Sequence, residues 1–230
     1  MAAEQNPSHA TAMLGQALEV GALYRESGSA AESEGFLASF LAKFRQSPLA
    51  ENARAQQNIE SGMRRINLLG TPAPAIVGAD YIGAAQHDLA AFKGRVVLLD
   101  FFAHWCAPYI NELPIINALK SRYEERGLEI VGVTQYYGFF GERKGISPSE
   151  ELAALKDLTT ERRAEQGFVV GPRSNFDAYG VGGLPVLVFI DRAGRVRAVR
   201  AGGAGGAEIE TMIQTLLAEP AQASVGRVAR

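Results

Sequence analysis

The sequence predicts an α/β fold, a mixed sheet flanked by helices and preceded by an all-helical segment. Three observations predict it. Residues 1 to about 70 carry apolar residues at helical spacing with a single proline, Pro48, after the first few positions. "LLGTPAPAI" at 68–76 then breaks that period with two prolines and a glycine. Beyond it, short β-like runs alternate with helical ones and end in a hairpin and a helix. The expected organisation is a helical segment over 1–69, an α/β domain over 70–220 and a tail over 221–230.

In the helical segment Met13, Ala17, Val20 and Tyr24 share one stripe, Phe36, Leu37, Phe40, Leu41 and Phe44 a second, and Ala55, Ile59, Met63 and Ile66 a third. "SGS" at 27–29 separates the first two helices, and Ser47 before Pro48 predicts the cap and first position of the third. "FLAKFRQSPLAENARAQ" faintly resembles a tetratricopeptide hairpin; without a second copy, a plain appendage packed on the main domain is expected.

The second part predicts a strand near 74–78, a short helix at 86–92 and a buried strand in "RVVLLDFF" at 95–102. A helix over 107–126, kinked at Pro114, follows. Then come a strand in "LEIVGVTQ", a helix in "SPSEELAALKDLTTERRAEQ", a strand near "FVV" and a helical turn at 174–179. "PVLVFIDRAGRVRAVRAG" predicts a hairpin about Ala193-Gly194, and "AEIETMIQTLLAE" a closing helix.

A composition with 47% apolar residues suffices for a real core. A net charge of −2 argues against nucleic acid or an anionic membrane surface as partner and favours small molecules or proteins. No window reaches the roughly 18 to 20 apolar residues of a membrane helix, and the first residues lack a signal peptide's basic start and apolar stretch. As it stands the sequence is expected in the cytoplasm; a signal peptide removed from it would place the protein in the periplasm or outside. One cysteine, Cys106, excludes an intramolecular disulfide and a Cys-rich zinc site. His9, His87 and His104 show no metal-ligand spacing and are expected to be solvated or satisfied in the core, so neither metal nor cofactor is expected.

Cys106 stands where an apolar strand and an aromatic turn meet a helical pattern, in Cys106-Ala107-Pro108-Tyr109. At a helix start the macrodipole and unpaired N–H groups stabilise thiolate, the nucleophilic form. Trp105 can cover one side of the sulfur and add to the surface a partner lies on; the alternative is a buried Trp-Cys core pair. Tyr109, three residues on, shares the helix face of Cys106. Its hydroxyl either donates to the thiolate or its ring fills space in a site without exchange activity. Asp100, inside "VVLLDFF", should resist ionisation.

"KGRVVLLDFFAHWCAPYINELP" and "YGVGGLPVLVFIDRAGRV" resemble the two halves of the thioredoxin fold, in particular the TlpA-like branch of thiol-disulfide oxidoreductases, over about 70–218. The resemblance is carried by Asp100, the Trp105-Cys106 turn, Pro108, Pro114 and Leu184-Pro185 in that order. It implies a thioredoxin-like mixed sheet, a cis bond before Pro185 facing the cysteine, and a Leu184 main chain that pairs with an extended substrate beside Trp105 and Pro108. An acid at Asp100 moves protons for the second cysteine of such proteins. That cysteine is Tyr109 here, so Asp100 either tunes Cys106 or is a relic satisfied by a local hydrogen bond.

The implied function is a single-cysteine thiol-disulfide oxidoreductase working through mixed disulfides, resolved by glutathione or a protein thiol. A lone thiol also admits a Cys106-linked dimer and oxidation to a sulfenic acid. The peroxidase branch shows threonine three residues before its cysteine, and Ala103 stands there instead. The competing reading is a redox-inactive binding or scaffold module. Elsewhere, "YYGFF" at 136–140 is expected to be a loop whose rings pin the long 138–165 segment, the alternative being a partner-binding patch. Arg195 and Arg197 are expected on a solvated edge, and "AGGAGGAE" as a flexible turn.

Overall fold

The computed structural model describes residues 7–83 and 88–220, with side chains from residue 13 onward. The expected tail and the side chains of His9 and His87 lie outside the described residues.

Three helices open the chain: α1 (Pro7–Glu26), α2 (Ala30–Arg45) and α3 (Ala53–Leu68). The third stripe is buried as expected, with Ala55, Ile59 and Ile66 in the core. The first is not. Leu14 and Leu18 are buried, whereas Met13, Val20 and Tyr24 are exposed. Glycines decide this: a methyl at Gly21 would stand 2.6 Å from Leu37 Cδ2 and one at Gly62 would stand 2.5 Å from Leu18 Cδ1, so the helices cross where side chains are missing. The third helix also starts later than Ser47-Pro48 suggests. Pro48 opens a 3-10 turn, and Asn52 caps α3 by accepting from the Ala55 N–H at 3.0 Å.

The remaining elements are β1 (Asp80–Ile82), β2 (Val96–Phe101), α4 (Ala107–Tyr123), β3 (Leu128–Thr134), β4 (Phe139–Phe140), β5 (Arg143–Lys144), α5 (Pro148–Glu161), β6 (Gly167–Val170), α6 (Arg173–Ala178), β7 (Val186–Ile190), β8 (Val196–Ala201) and α7 (Gly206–Ala218). The six-stranded sheet runs β1-β6-β3-β2-β7-β8. β2, β3 and β6 are parallel, while β1, β7 and β8 join antiparallel. Alternation along each strand fills two cores. Val97, Leu99 and Phe101 face Phe176, Tyr179 and Leu69; Val96 and Leu98 face Ile116 and Leu119 of α4 and Ile213 of α7.

Five expectations shift. The strand near 74–78 is an irregular segment bridged to the sheet at Pro72, because Pro72 and Pro74 lack ladder donors, and the edge strand forms at Asp80–Ile82. The short helix is a 3-10 turn, Leu89–Phe92, with the Asp88 side chain accepting from Ala90 N–H; residues 84–87 lie outside the described residues. α4 ends at Tyr123, with a 3-10 turn to Arg126, and α5 ends at Glu161, ahead of Arg163 at φ 52°. "YYGFF" contributes β4, which pairs with β5 in a small hairpin rather than forming a plain loop.

Candidate active site

β2 aims its last residues at the start of α4. The Cys106 N–H donates to the Ala103 carbonyl at 3.0 Å, closing a tight turn, and the Cys106 carbonyl accepts from Ile110 N–H at 3.2 Å. Cys106 is the N-cap residue of α4, and Pro108 lies exposed in the helix's first turn, where its missing N–H costs nothing. The helix start beneath Cys106 is therefore present. The thiol is nearly closed off from solvent: Cys106 is 5% exposed, packed with Phe102, Tyr109, Leu113 and Phe168. Trp105 is 52% exposed and meets the Tyr137 ring edge-on at 5.6 Å, so the two residues form no buried core pair.

Tyr109 is buried, its ring stacked on Phe102 with centroids 4.3 Å apart. Its phenol is held well above the ordinary tyrosine range by burial first, then by Asp100 and Glu112. Asp100 follows Val96 and Leu98 on the α4 side of β2, paired in register with Gly132. Both its carboxyl oxygens are buried without a hydrogen-bond partner among the described residues, so the satisfied-relic reading fails. Burial, with Glu112 second, holds it well above the usual carboxylate range.

Glu112 is the residue that sequence reasoning missed. It is buried on α4, one turn beyond Tyr109. Its Oε1 accepts from the Ala204 N–H at 3.3 Å, while Oε2 is buried and unpaired among the described residues. Burial raises its pKa and the Ala204 bond opposes the rise. The i, i+3 spacing from Tyr109 put it on the right helix face, but a glutamate in "NELP" reads as a solvated position.

Leu184 and Pro185 come from the loop before β7, and their peptide bond is cis. The Pro185 carbonyl accepts from Gly202 N–H at 2.9 Å. Among the described residues neither the N–H nor the C=O of Leu184 makes a hydrogen bond. A methyl at Gly203 would lie 3.8 Å from Pro185 Cγ and 4.0 Å from Glu112 Oε1, so these residues converge. Gly202 and Gly203, at φ 87° and 88°, supply the left-handed turn that makes this approach.

Tyr137 was also missed as an individual residue. It borders the Cys106 cluster, and burial pushes its phenol up to about 12, with Cys106 among the contributing charges. The hydroxyl lies near Thr134 and Gln135 without a hydrogen bond of good geometry. Phe139 and Phe140 enclose His104, whose ring stacks on Phe140 at 4.5 Å, and burial lowers the His104 pKa. Among the described residues no group of three His, Cys, Asp or Glu is placed to hold a metal, and no helix is long and apolar enough to cross a membrane.

The sheet order, the cysteine at the start of α4 and the proline loop before β7 define a thioredoxin-fold protein. A thioredoxin-family thiol:disulfide interchange protein from Chlorobium tepidum TLS superposes with a TM-score of 0.53 at 22% identity, over 64% of this chain and 97% of that one. The thiol-disulfide oxidoreductase ResA of Geobacillus thermodenitrificans is 32% identical over 135 residues, 58% of this chain and 70% of that protein. ResA of Geobacillus kaustophilus is 30% identical over 154 residues, 64% and 78% respectively. The Redoxin family model matches residues 68–213, and the chain belongs to that family, as a TlpA-like member with the thioredoxin fold. The match begins at the last residue of α3, so nearly all of the helical segment lies outside it.

Proposed function

We propose that this thiol-disulfide oxidoreductase uses Cys106 as its sole nucleophile and works through mixed disulfides. One conjunction carries the reading: the sulfur sits at the start of α4, beside a loop whose Leu184 main-chain groups are unengaged, and an aromatic ring occupies the place of a second thiol. An extended chain laid on Leu184 pairs with those groups as an added strand. Cys106 thiolate attacks one sulfur of the bound disulfide, forming a mixed disulfide and expelling the other sulfur as thiolate, which takes a proton. Glu112, with Oε2 unpaired and its pKa raised, gives and receives that proton. An external thiolate then attacks the mixed disulfide, takes the substrate sulfur and restores Cys106. Tyr109 supplies no sulfur. The resolving thiol is glutathione in the cytoplasm or a protein thiol outside it.

The 5% exposure of Cys106 favours a second reading, a redox-inactive module that keeps the groove for binding. The deciding measurement is reduction of a peptide–glutathione mixed disulfide with excess glutathione, alongside iodoacetamide labelling of the folded protein. The enzyme reading expects turnover that vanishes in Cys106→Ser and labelling faster than that of free cysteine near neutral pH. Slower labelling with no turnover establishes the binding module. A Cys106-linked dimer would need two buried sulfurs to emerge together; a non-reducing gel reads it directly.

A further inference from the structure

We propose that Arg65 of α3 binds an acidic side chain of the polypeptide laid along Leu184, making the N-terminal helices a specificity wall of the substrate groove. This rests on the oxidoreductase reading. Two neighbouring cavities, about 240 and 260 Å³, open between α1, α3 and the end of β8, and both are lined by Gly15, Leu18, Arg65 and Ala201. The second is also lined by Gly183 and Leu184. With about 30 Å³ per liquid water, it has room for a carboxylate side chain.

Arg65 is the one ionisable side chain lining that second cavity among the described residues. It is half-buried, and Nη1 donates to the Gly180 carbonyl at 2.6 Å. No carboxylate among the described residues lies within 4.0 Å of it. Burial lowers its pKa with no acid to offset it. Arg200, which lines the first cavity, is the internal contrast: Glu26 meets it with two bonds, 2.7 and 2.9 Å, and Glu208 with a third. Glu19, on the exposed side of α1, and Glu208 line the first cavity and not the second, so an incoming anion is directed to the second.

A guanidinium removed from water without a counter-charge is unfavourable, and a carboxylate supplies the two acceptors its planar fork fits. The position is fixed relative to Leu184. A methyl at Gly180 would stand 2.5 Å from the Ser61 carbonyl oxygen, and one at Gly182 would stand 2.5 Å from Ser61 Oγ, so α3 lies against the bare main chain of the loop.

The test uses synthetic peptides with one cysteine carried as a mixed disulfide with thionitrobenzoate, and a glutamate or glutamine moved through the flanking positions. Cys106 thiolate attacks the peptide sulfur, the mixed disulfide forms and coloured thionitrobenzoate leaves with the electron pair. At one position the glutamate peptide should half-saturate at about tenfold lower concentration than its glutamine twin, with the same limiting rate. Arg65→Gln should abolish that preference without changing the limiting rate, and Arg65→Lys should keep part of it. Asn58→Asp, a same-shape change in the cavity lining, should weaken the preference even if Arg65→Gln does not fold. Raised salt should shrink it. No preference at any position, or one that survives in both folded Arg65→Gln and Asn58→Asp, overturns the inference while leaving Cys106 chemistry intact. If no peptide reacts, the oxidoreductase reading falls, and fluorescence of the single tryptophan, Trp105, titrated with the same peptides lacking the leaving group decides this one. Tighter binding of the glutamate peptide supports it, and equal binding overturns it.

Discussion

Asp100 and Glu151 are both sealed from solvent at 0% exposure, and their surroundings treat them in opposite ways. Glu151 accepts from Tyr137 N–H at 2.9 and 3.1 Å and from Gly138 N–H at 2.8 Å. It ties α5 to the segment that lays Phe139 and Phe140 on His104. Asp100 meets no donor among the described residues and faces Glu112 and Tyr109 instead. A buried acid with a full set of donors fastens two segments. One with none destabilises its own fold while it carries charge, and here it lies beside the start of α4.

Removing the fastener should cost most. Glu151→Ala leaves two main-chain N–H groups without their acceptor and should lower unfolding free energy by about 3 kcal/mol, read from urea denaturation. The Trp105 emission should shift as Tyr137 loosens beside it. A loss under about 1 kcal/mol would mean water replaces the carboxyl group at no cost, and the contrast with Asp100 would collapse.

Asp100→Asn tests the other half. Burial raises the folded-state pKa of Asp100, so between its unfolded value, about 3.9, and that raised value the native state holds a proton the unfolded state has released. Its contribution is present at acid pH and is lost as pH rises through the window, at about 1.4 kcal/mol per pH unit. Glu112, also raised, acts in the same sense. Asp100→Asn should flatten this slope, gaining most relative to wild type on the alkaline side and least near pH 4. Parallel stability curves for the two proteins would show that Asp100 ionises freely in the fold.

The contrast also shows what could be read from the sequence. Every strand rich in β-branched residues and every capped helix of the sheet region was legible, because those signals are local: Val96 to Phe101 is apolar throughout, and Ser147 with Glu150 forms a capping box. The Cys106 turn was legible from the strand, aromatic residues and helical pattern that meet there, whereas the cis bond at Leu184-Pro185 was implied only by the resemblance to the thioredoxin fold. Glu112 and Glu151 were not, since a glutamate's burial depends on main-chain donors brought from residues 204 and 137–138 by tertiary folding. The α1 face was misread for a related reason. Gly21 and Gly62 add nothing to an apolar stripe, yet they let Leu37 and Leu18 close in, and so select the face that Met13 and Val20 do not share.

The smallest effect separates the two readings of Tyr109. Its ring is fixed by the Phe102 stack, and the charges that act on its hydroxyl are those of Asp100 and Glu112. Tyr109→Phe keeps the stack and removes only the hydroxyl, so stability should change by less than about 1 kcal/mol. If the ring only fills space, Cys106 should react with iodoacetamide at an unchanged rate and the pH dependence of labelling should not move. If instead the hydroxyl donates to the thiolate, labelling near neutral pH should drop by about tenfold, the equivalent of one charge-assisted hydrogen bond. In that case Tyr109 positions the nucleophile, and the proposed proton transfer rests on Glu112 alone.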